Sequence, residues 1–503
     1  MKQLYLPKLF KTFFTSKIAL LINCILFAFA ANAQITSISE SCGSSHLHQQ
    51  MMQNNANYAS KVFANEQRLV KYKNSTYLNK STSSQTRVVP VVFHVMNDGT
   101  PLTQISKDDI KKAIKEMNER FRKIAGSEGD GNGVDVGIEF ALAVRDPNGN
   151  CTDGINYWDI SGNANFTNYV NNGVSSANGN PGVPDVTFKN LARWNPTQYY
   201  NIWVVGKING PVDVVAGYAL LADGAHGIDA DGTVVQAKYV KFGTTLTHEL
   251  GHAFNLYHTF EGDGNGGQCP TNGDCETDGD RVCDTPPHKR STSCDAATNS
   301  CTGASNAAHV HNYMDYSGGS CQNEFTAGQK ARMLFAIDSI RKSFLASEGN
   351  MSLVPPAVAD ADFINPTTVA CVGTNLKFYD KSTCTPNTFL NTEFPGISFT
   401  WTVKKNGNTV HTSTNQNLSY TFIDSGNYTI TLQVTNTNGT DSKTSNLLIT
   451  NPAIVAVCQP GSFNSPNNYD ATLNNVTFGN INNTTSISKN GAYQDFSCTS
   501  DTI

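Results

Sequence analysis

The chain has 503 residues, a net charge of -5 and only 15% charged side chains. That length exceeds what one hydrophobic core usually serves, so roughly two to four domains are expected. The small net charge gives no reason to expect nucleic acid or an anionic membrane as partner.

Residues 1–33 read as a secretory signal. Lys2, Lys8, Lys11 and Lys17 form a basic start, Ile18 to Ala31 is an apolar run broken only by Asn23 and Cys24, and Ala31-Asn32-Ala33 is a small-x-small cleavage site. The run is about 14 residues, short of the roughly 20 that span a bilayer, so export with cleavage is expected rather than an anchor. No later segment is long and apolar enough to span a membrane. Residues 34–86 are polar, with one helix expected from Ser45 to about Tyr72 and too little apolar surface for a core of their own.

The character changes at Arg87. Val88 to Val95 is a strongly β-prone run. Ser106 then caps a helix whose Ile110, Ile114, Met117 and Phe121 share one face. Ile138 to Val144 and Tyr200 to Val205 read as strands, and Gly217 to Leu221 as an edge strand. A helix from about Thr244 carries His248-Glu249-Leu250-Gly251-His252. Residues 261–312 form a loop too long for a compact domain without staples or function. A last helix is expected from Thr326 to Phe344.

The chemistry sits on the helix from Thr244. Residues four apart share a helix face, so His248 and His252 can point two imidazoles at one ion. Glu249 lies one residue round from His248, beside a metal but off its ligand axis, where it can take a proton from water. His258 is too far along a continuing helix to join them. It becomes the third ligand only if the helix stops, and Asn255 can stop it because Asn tolerates the left-handed conformation. The long form of this motif has Gly at that position and is followed by a Met-turn. His311-Asn312-Tyr313-Met314-Asp315-Tyr316 is the candidate turn. One catalytic zinc is expected. Of 13 cysteines, Cys24 leaves with the signal, and Cys269, Cys275, Cys283, Cys294, Cys301 and Cys321 crowd the region after the motif. In an exported protein they read as a disulfide framework.

His248 to His258, Leu256 to Phe260, Asp284-Thr285-Pro286, and Asn312 to Tyr316 ahead of Cys321 together resemble the pappalysin family of metzincin zinc endopeptidases. The resemblance covers roughly residues 87–345 and implies a catalytic domain over residues 87–349. Its α+β fold would have a twisted sheet and long helices over an irregular lower subdomain. The resemblance implies that His248, His252 and His258 bind zinc. Glu249 would act as general base and later protonate the leaving amine. Met314 would floor the metal, and Tyr316 would stabilise the oxyanion, a structural hydrogen bond being the alternative for Tyr316. It also implies the disulfides Cys294–Cys321 and Cys269–Cys301, with Cys275–Cys283 closing a small extra loop.

Residues 34–86 would be a propeptide. Cys42, in Ser41-Cys42-Gly43, would place its thiolate on the zinc until a cut near Thr86-Arg87 removes it. A disulfide from Cys42 to another cysteine, such as Cys151, is the competing reading. The acidic loop with Asp278, Asp280 and Asp284 offers oxygen ligands for calcium, as in some family members, though a merely solvated loop explains it equally. Arg-selective relatives carry acidic residues after the Met-turn. Gly318-Gly319-Ser320 here gives no support for a basic preference.

Residues 354–451 alternate at period two and are about the size of an immunoglobulin-like sandwich, with Asn406-Gly407 as a hairpin turn. Leu376 to Ser382, Trp401, and Tyr420 to Leu432 resemble a PKD-type domain. Residues 453–503 begin a β-rich module resembling a GEVED-type unit around Val476 to Gly479, and stop in mid-pattern, as a fragment would. The expectation is a secreted or cell-surface zinc endopeptidase acting on proteins or peptides and inhibited by its own propeptide. The alternative is a secreted binding or adhesion protein on a protease-like scaffold, against which the intact Glu249 argues.

Overall fold

The computed structural model describes residues 42–73, 86–163, 166–210, 215–295, 298–385, 397–451, 475–478 and 481–484. The expected signal segment 1–33 lies outside the described residues. So does most of the third module, of which the hairpin Asn475–Phe478 with Ile481–Thr484 is described. The chain divides into two units, residues 1–141 with 155–350 and residues 142–154 with 351–503.

In the first unit, β1 (Arg87–Asn97) buries every residue from Val88 to Met96. Parallel neighbours on both edges and helices on the faces leave no solvated side, which is why the run is apolar rather than alternating. The six-stranded sheet runs β2 (Ile138–Leu142), β1, β4 (Tyr200–Val205), β6 (Thr233–Gln236), β5 (Gly217–Ala219), and β3 (Ile155–Asp159) also pairs with β1. β5 is antiparallel to β6 and forms the edge, as expected for this segment. β3 and β6 carry no clear period in the sequence, and their parallel pairing to β1 and β4 makes them strands.

The N-terminal segment forms two helices rather than one, α1 (Ser44–Asn54) and α2 (Ala56–Lys73). The break is at Asn55, whose side chain caps the second helix by accepting from Tyr58 N–H at 3.0 Å. Their Leu47, Tyr58 and Val62 pack into the cluster of Trp203, Tyr218 and Val234, so they borrow the core of the sheet. Helix α3 (Lys107–Phe121) starts at a capping box of Ser106 and Asp109 and buries the expected face. All nine residues of α4 (Thr245–Ala253) are buried. Helix α5 (Ala327–Phe335) has a second capping box, Thr326 with Gln329. It continues as a π-helical turn, Ala336–Ile340, so the single helix expected to Phe344 changes pitch. The irregular stretch after α4 is held by disulfides Cys269–Cys301, Cys275–Cys283 and Cys294–Cys321.

The second unit is a two-sheet sandwich. One sheet is β8 (Val369–Cys371), β14 (Gly439–Thr450), β13 (Gly426–Asn436), β10 (Ser398–Lys405), β11 (Asn408–Ser413). The other is β12 (Leu418–Thr421), β9 (Asn375–Asp380), β7 (Phe363–Ile364). Trp401, Phe378, Phe422, Ile430 and Leu432 fill the space between them. Asn406 and Gly407 turn the β10–β11 hairpin with φ of 51° and 86°, the left-handed pair such a turn requires. Residues 142–154, inside the expected catalytic segment, group with this unit. Cys151 is bonded to Cys384, which rules out the reading that pairs it with Cys42, and the Cys42 thiol is free.

Candidate metal centre

Helix α4 ends in a way that delivers a third histidine. Asn255 takes φ +77°. Its N–H reaches the His252 carbonyl at 2.8 Å, and Leu256 N–H reaches back to the Gly251 carbonyl at 3.0 Å. This is the Schellman pairing, which satisfies the last helical carbonyls while reversing the chain. Asn255 Oδ1 also accepts from Asp223 N–H at 3.2 Å. Two residues of α5 and its continuation brace the same corner: Arg332 Nε donates to the Asn255 carbonyl at 3.0 Å and Arg341 Nε to the Ala253 carbonyl at 2.9 Å.

Three imidazoles converge beyond the turn. Nε2 of His252 lies 3.2 Å from Nε2 of both His248 and His258. The opposite nitrogens face outward. Nδ1 of His248 meets the Tyr313 carbonyl and Nδ1 of His252 the Leu256 carbonyl, each at 2.7 Å. Nδ1 of His258 meets Ser45 Oγ at 2.9 Å, and that hydroxyl donates to Glu261 at 3.0 Å. A carbonyl accepts only, so His248 and His252 carry their protons on Nδ1 and aim bare Nε2 lone pairs at one point. Burial, then His258, lowers the His248 pKa to about 3, so the ring stays neutral as ligation requires. Facing lone pairs repel unless a cation lies between them. Tetrahedral zinc with bonds of about 2.0–2.1 Å would set its nitrogens about 3.4 Å apart, close to the spacing here. The residues fit the metal.

The fourth direction is taken by Cys42, whose Sγ shares with the three rings a cluster of ligand atoms all within 4.8 Å of one another. Residues 42–44 lie along β5: Cys42 and Gly217 form a parallel bridge, and Gly43 N–H donates to the Gly217 carbonyl at 3.0 Å. Glu249 Oε2 accepts from Cys42 Sγ at 3.3 Å and from Ser44 Oγ at 3.1 Å. Burial, then the Glu249 charge, push the Cys42 thiol well above its ordinary value. A metal on the imidazoles would reverse this, since a coordinated thiol is deprotonated. The Tyr316 hydroxyl accepts from Cys42 N–H at 3.1 Å and donates to its carbonyl at 3.3 Å. Met314 is fully buried beneath the helix, and a Cβ on Gly251 would come 2.3 Å from its Sδ, so any side chain there requires the thioether to move.

Asp278, Asp280 and Asp284 are not brought together. Asp278 accepts from Gly273 and Asp274 N–H, Asp280 from Val282 N–H and Thr285, and Asp284 from Thr326 and Gly328 at the start of α5. Their carboxylates organise turns and a helix start, and they do not form a cation cage among the described residues. Ser44, Ser45, Glu261, Arg332 and Arg341 were not singled out from the sequence. Their partners lie up to 216 positions away for Ser45 and 115 for Arg341, and no local pattern announces them.

Residues 185–338 match the family model described as pregnancy-associated plasma protein-A, and residues 361–451 match that of the PKD domain. An extracellular metalloprotease of Arthroderma benhamiae is 28% identical over 301 residues, covering 57% of this chain and 84% of its own length. One from Sordaria macrospora is 46% identical over 92 residues, 18% of this chain and 28% of its own. Among solved structures, promirolysin of Tannerella forsythia is 28% identical, with a TM-score of 0.45, covering 62% of this chain and 99% of its own. Residues 185–338 are thus similar to the pregnancy-associated plasma protein-A family of peptidases, and residues 361–451 to the PKD domain.

Proposed function

We propose that the chain is an exported zinc endopeptidase of the metzincin type, made as a zymogen in which residues 34–86 are the propeptide and Cys42 the latch. The convergence of three bare imidazole nitrogens beside the Glu249 carboxylate carries this reading. The names of the fungal relatives support an extracellular setting, and no helix among the described residues is long and apolar enough to cross a membrane.

His248, His252 and His258 would hold the metal in the mature enzyme, with Cys42 as fourth ligand in the latent one. When bound, zinc supplies Lewis acidity that acidifies water and polarises the scissile carbonyl. Glu249 takes the proton from the attacking water and delivers it to the leaving amine. Tyr316, released from the Cys42 backbone, turns its hydroxyl toward the developing oxyanion. In the latent form residues 42–44 engage Glu249, Tyr316 and the metal position together, so one segment silences all three. The substrate lies where residues 42–44 lie, along β5, whose outer edge can bind an extended peptide once those residues leave it.

The deciding experiment replaces Glu249 by Ala. Digestion of an unfolded protein should stop while metal content stays at one zinc per chain, and continued digestion would sink the mechanism. Sequencing the products of the unaltered enzyme reports cleavage preference and any self-processing near Thr86-Arg87.

A further inference from the structure

Arg332 and Arg341 do the same job at the end of α4, each donating Nε to a carbonyl at the turn toward His258, but their counter-ions differ in origin. Arg341 is held by Asp231, with both η-nitrogens at 2.7 Å from its carboxylate, all within the catalytic part of the unit. Arg332 is held by Glu66 of α2, at 3.2 and 2.5 Å. Glu66 also meets Arg281 at 3.3 Å. The two guanidinium groups flank the ring of Tyr257, the residue before His258, at 5.4 and 4.9 Å from its centroid. On the proposed reading, Glu66 departs with the propeptide and Asp231 stays.

A carboxylate without a well-aligned partner waits beside this site. Asp223 is 1% exposed, and neither of its oxygens forms a well-aligned hydrogen bond, although the N–H of the next residue, Gly224, approaches the carboxylate. Its own N–H is the donor to Asn255 Oδ1, so it sits on the same turn that Arg332 braces. Asn255 Nδ2 and the Tyr257 hydroxyl are likewise buried without partners. Helix α2 covers the place, with Asn65 bonded to the Asp223 carbonyl at 2.7 Å and Tyr58 lying against Gly224, where a Cβ would come within 2.3 Å of its ring. Buried unsatisfied carboxylates are rare, and this one shares Asn255 with Arg332 and lies in the electrostatic reach of Arg332 and Arg281, which calls for a state in which it is used. Burial, then the like charge of Glu66, push the Asp223 carboxyl up to about 7, while Arg332 and Arg281 pull it down, so the departure of Glu66 favours its ionised form.

We infer that Arg332 is a positioning residue for the third histidine, and that activation transfers its counter-ion from Glu66 to Asp223. The inference rests on the reading of residues 34–86 as a removable propeptide. Before cleavage Glu66 fixes Arg332, and through it the Asn255 carbonyl and the His258 turn. After cleavage Asp223 pairs with Arg332 and keeps the turn in place without the propeptide.

The test uses the full chain before and after limited proteolysis between Lys73 and Arg87. Before the cut, Glu66→Gln should lower Tm, whereas Asp223→Asn should leave Tm unchanged or raise it. After the cut, the Glu66→Gln chain should equal wild type, whereas Asp223→Asn should release zinc to a chelator about 10–100-fold faster. Its cobalt-loaded form should show an altered d–d spectrum, and Asp223→Glu should restore both. Equal effects of Asp223→Asn before and after the cut, or none after it, overturn the exchange. So does a chain that cannot be cut there. If Glu66→Gln does not fold, the Asp223 comparison still decides. Metal release and spectrum are read without substrate, so a mature chain that retains metal but digests nothing would sink the peptidase reading alone.

Discussion

Asn255 carries two opposing tendencies at one position. Its left-handed backbone, φ +77°, disfavours side chains by roughly 1–2 kcal/mol, least for Asn and Gly. Its Oδ1 repays part of this by accepting from the buried Asp223 N–H. Asn255→Gly should therefore keep metal content and activity, with stability within about 1 kcal/mol of the parent. Asn255→Val, β-branched and without the acceptor, should lose zinc by metal analysis of the purified protein. Gly251 is a different case, limited by space rather than by φ. Gly251→Ala drives a methyl into the Met314 thioether in a closed core and should cost ~1–3 kcal/mol in denaturant unfolding. The spacing of His248, His252 and His258 is legible because helix geometry is local. The tightness at Gly251 is not, because Met314 arrives from a turn 63 positions later.

At the scale of elements, α4 is short and fully buried, and its C-terminal carbonyls have no water to turn to. The cations at Arg332 and Arg341 take them, the charge sign a helix C-terminus prefers. Arg341 and its hydrogen bonds outweigh burial and hold the Asp231 carboxyl well below the usual carboxylate range. The stability this contributes is present above the unfolded value of about 3.9 and is lost as pH falls through the lower folded one. Arg341→Met leaves Asp231 buried without its cation and should cost about 3–5 kcal/mol at neutral pH. Protonating that carboxyl removes the unpaired charge, so Tm of the variant should rise on mild acidification toward about pH 4, a window in which the parent's Asp231 contribution is unchanged. A Tm profile against pH checks the sign. The periodicity of α3 and the cap at Ser106 were readable in the sequence. The break at Asn55 and the π-helical turn after Phe335 were not, since neither interrupts the helical pattern of the sequence with a Gly or Pro.

For the whole molecule, on the proposed reading, four donors would meet one metal position in the latent form and three would remain after activation, so the two forms should hold zinc differently. Chelator should strip the mature protein faster than the full chain, and Cys42→Ala should bring the full chain close to the mature rate, followed by zinc release over time. Each stripped form should also melt lower, because a ligand bound only to the folded state stabilises by mass action. The sequence by itself determined the chemistry: the HExxH spacing, the Asn-terminated helix, the Met-turn and the β-alternation of the second unit are patterns within a few residues of one another. Which groups face that chemistry was decided only by the fold. Ser44 on Glu249, Ser45 on His258, Cys151 on Cys384, and Glu66 on Arg332 join residues far apart in the chain. Such partners carry no period and no spacing rule, because a carboxylate or a thiol is chosen by what packing brings beside it. The carboxylates of Asp278, Asp280 and Asp284, open in the sequence between a calcium site and a solvated loop, each hold backbone N–H groups or hydroxyls of neighbouring turns.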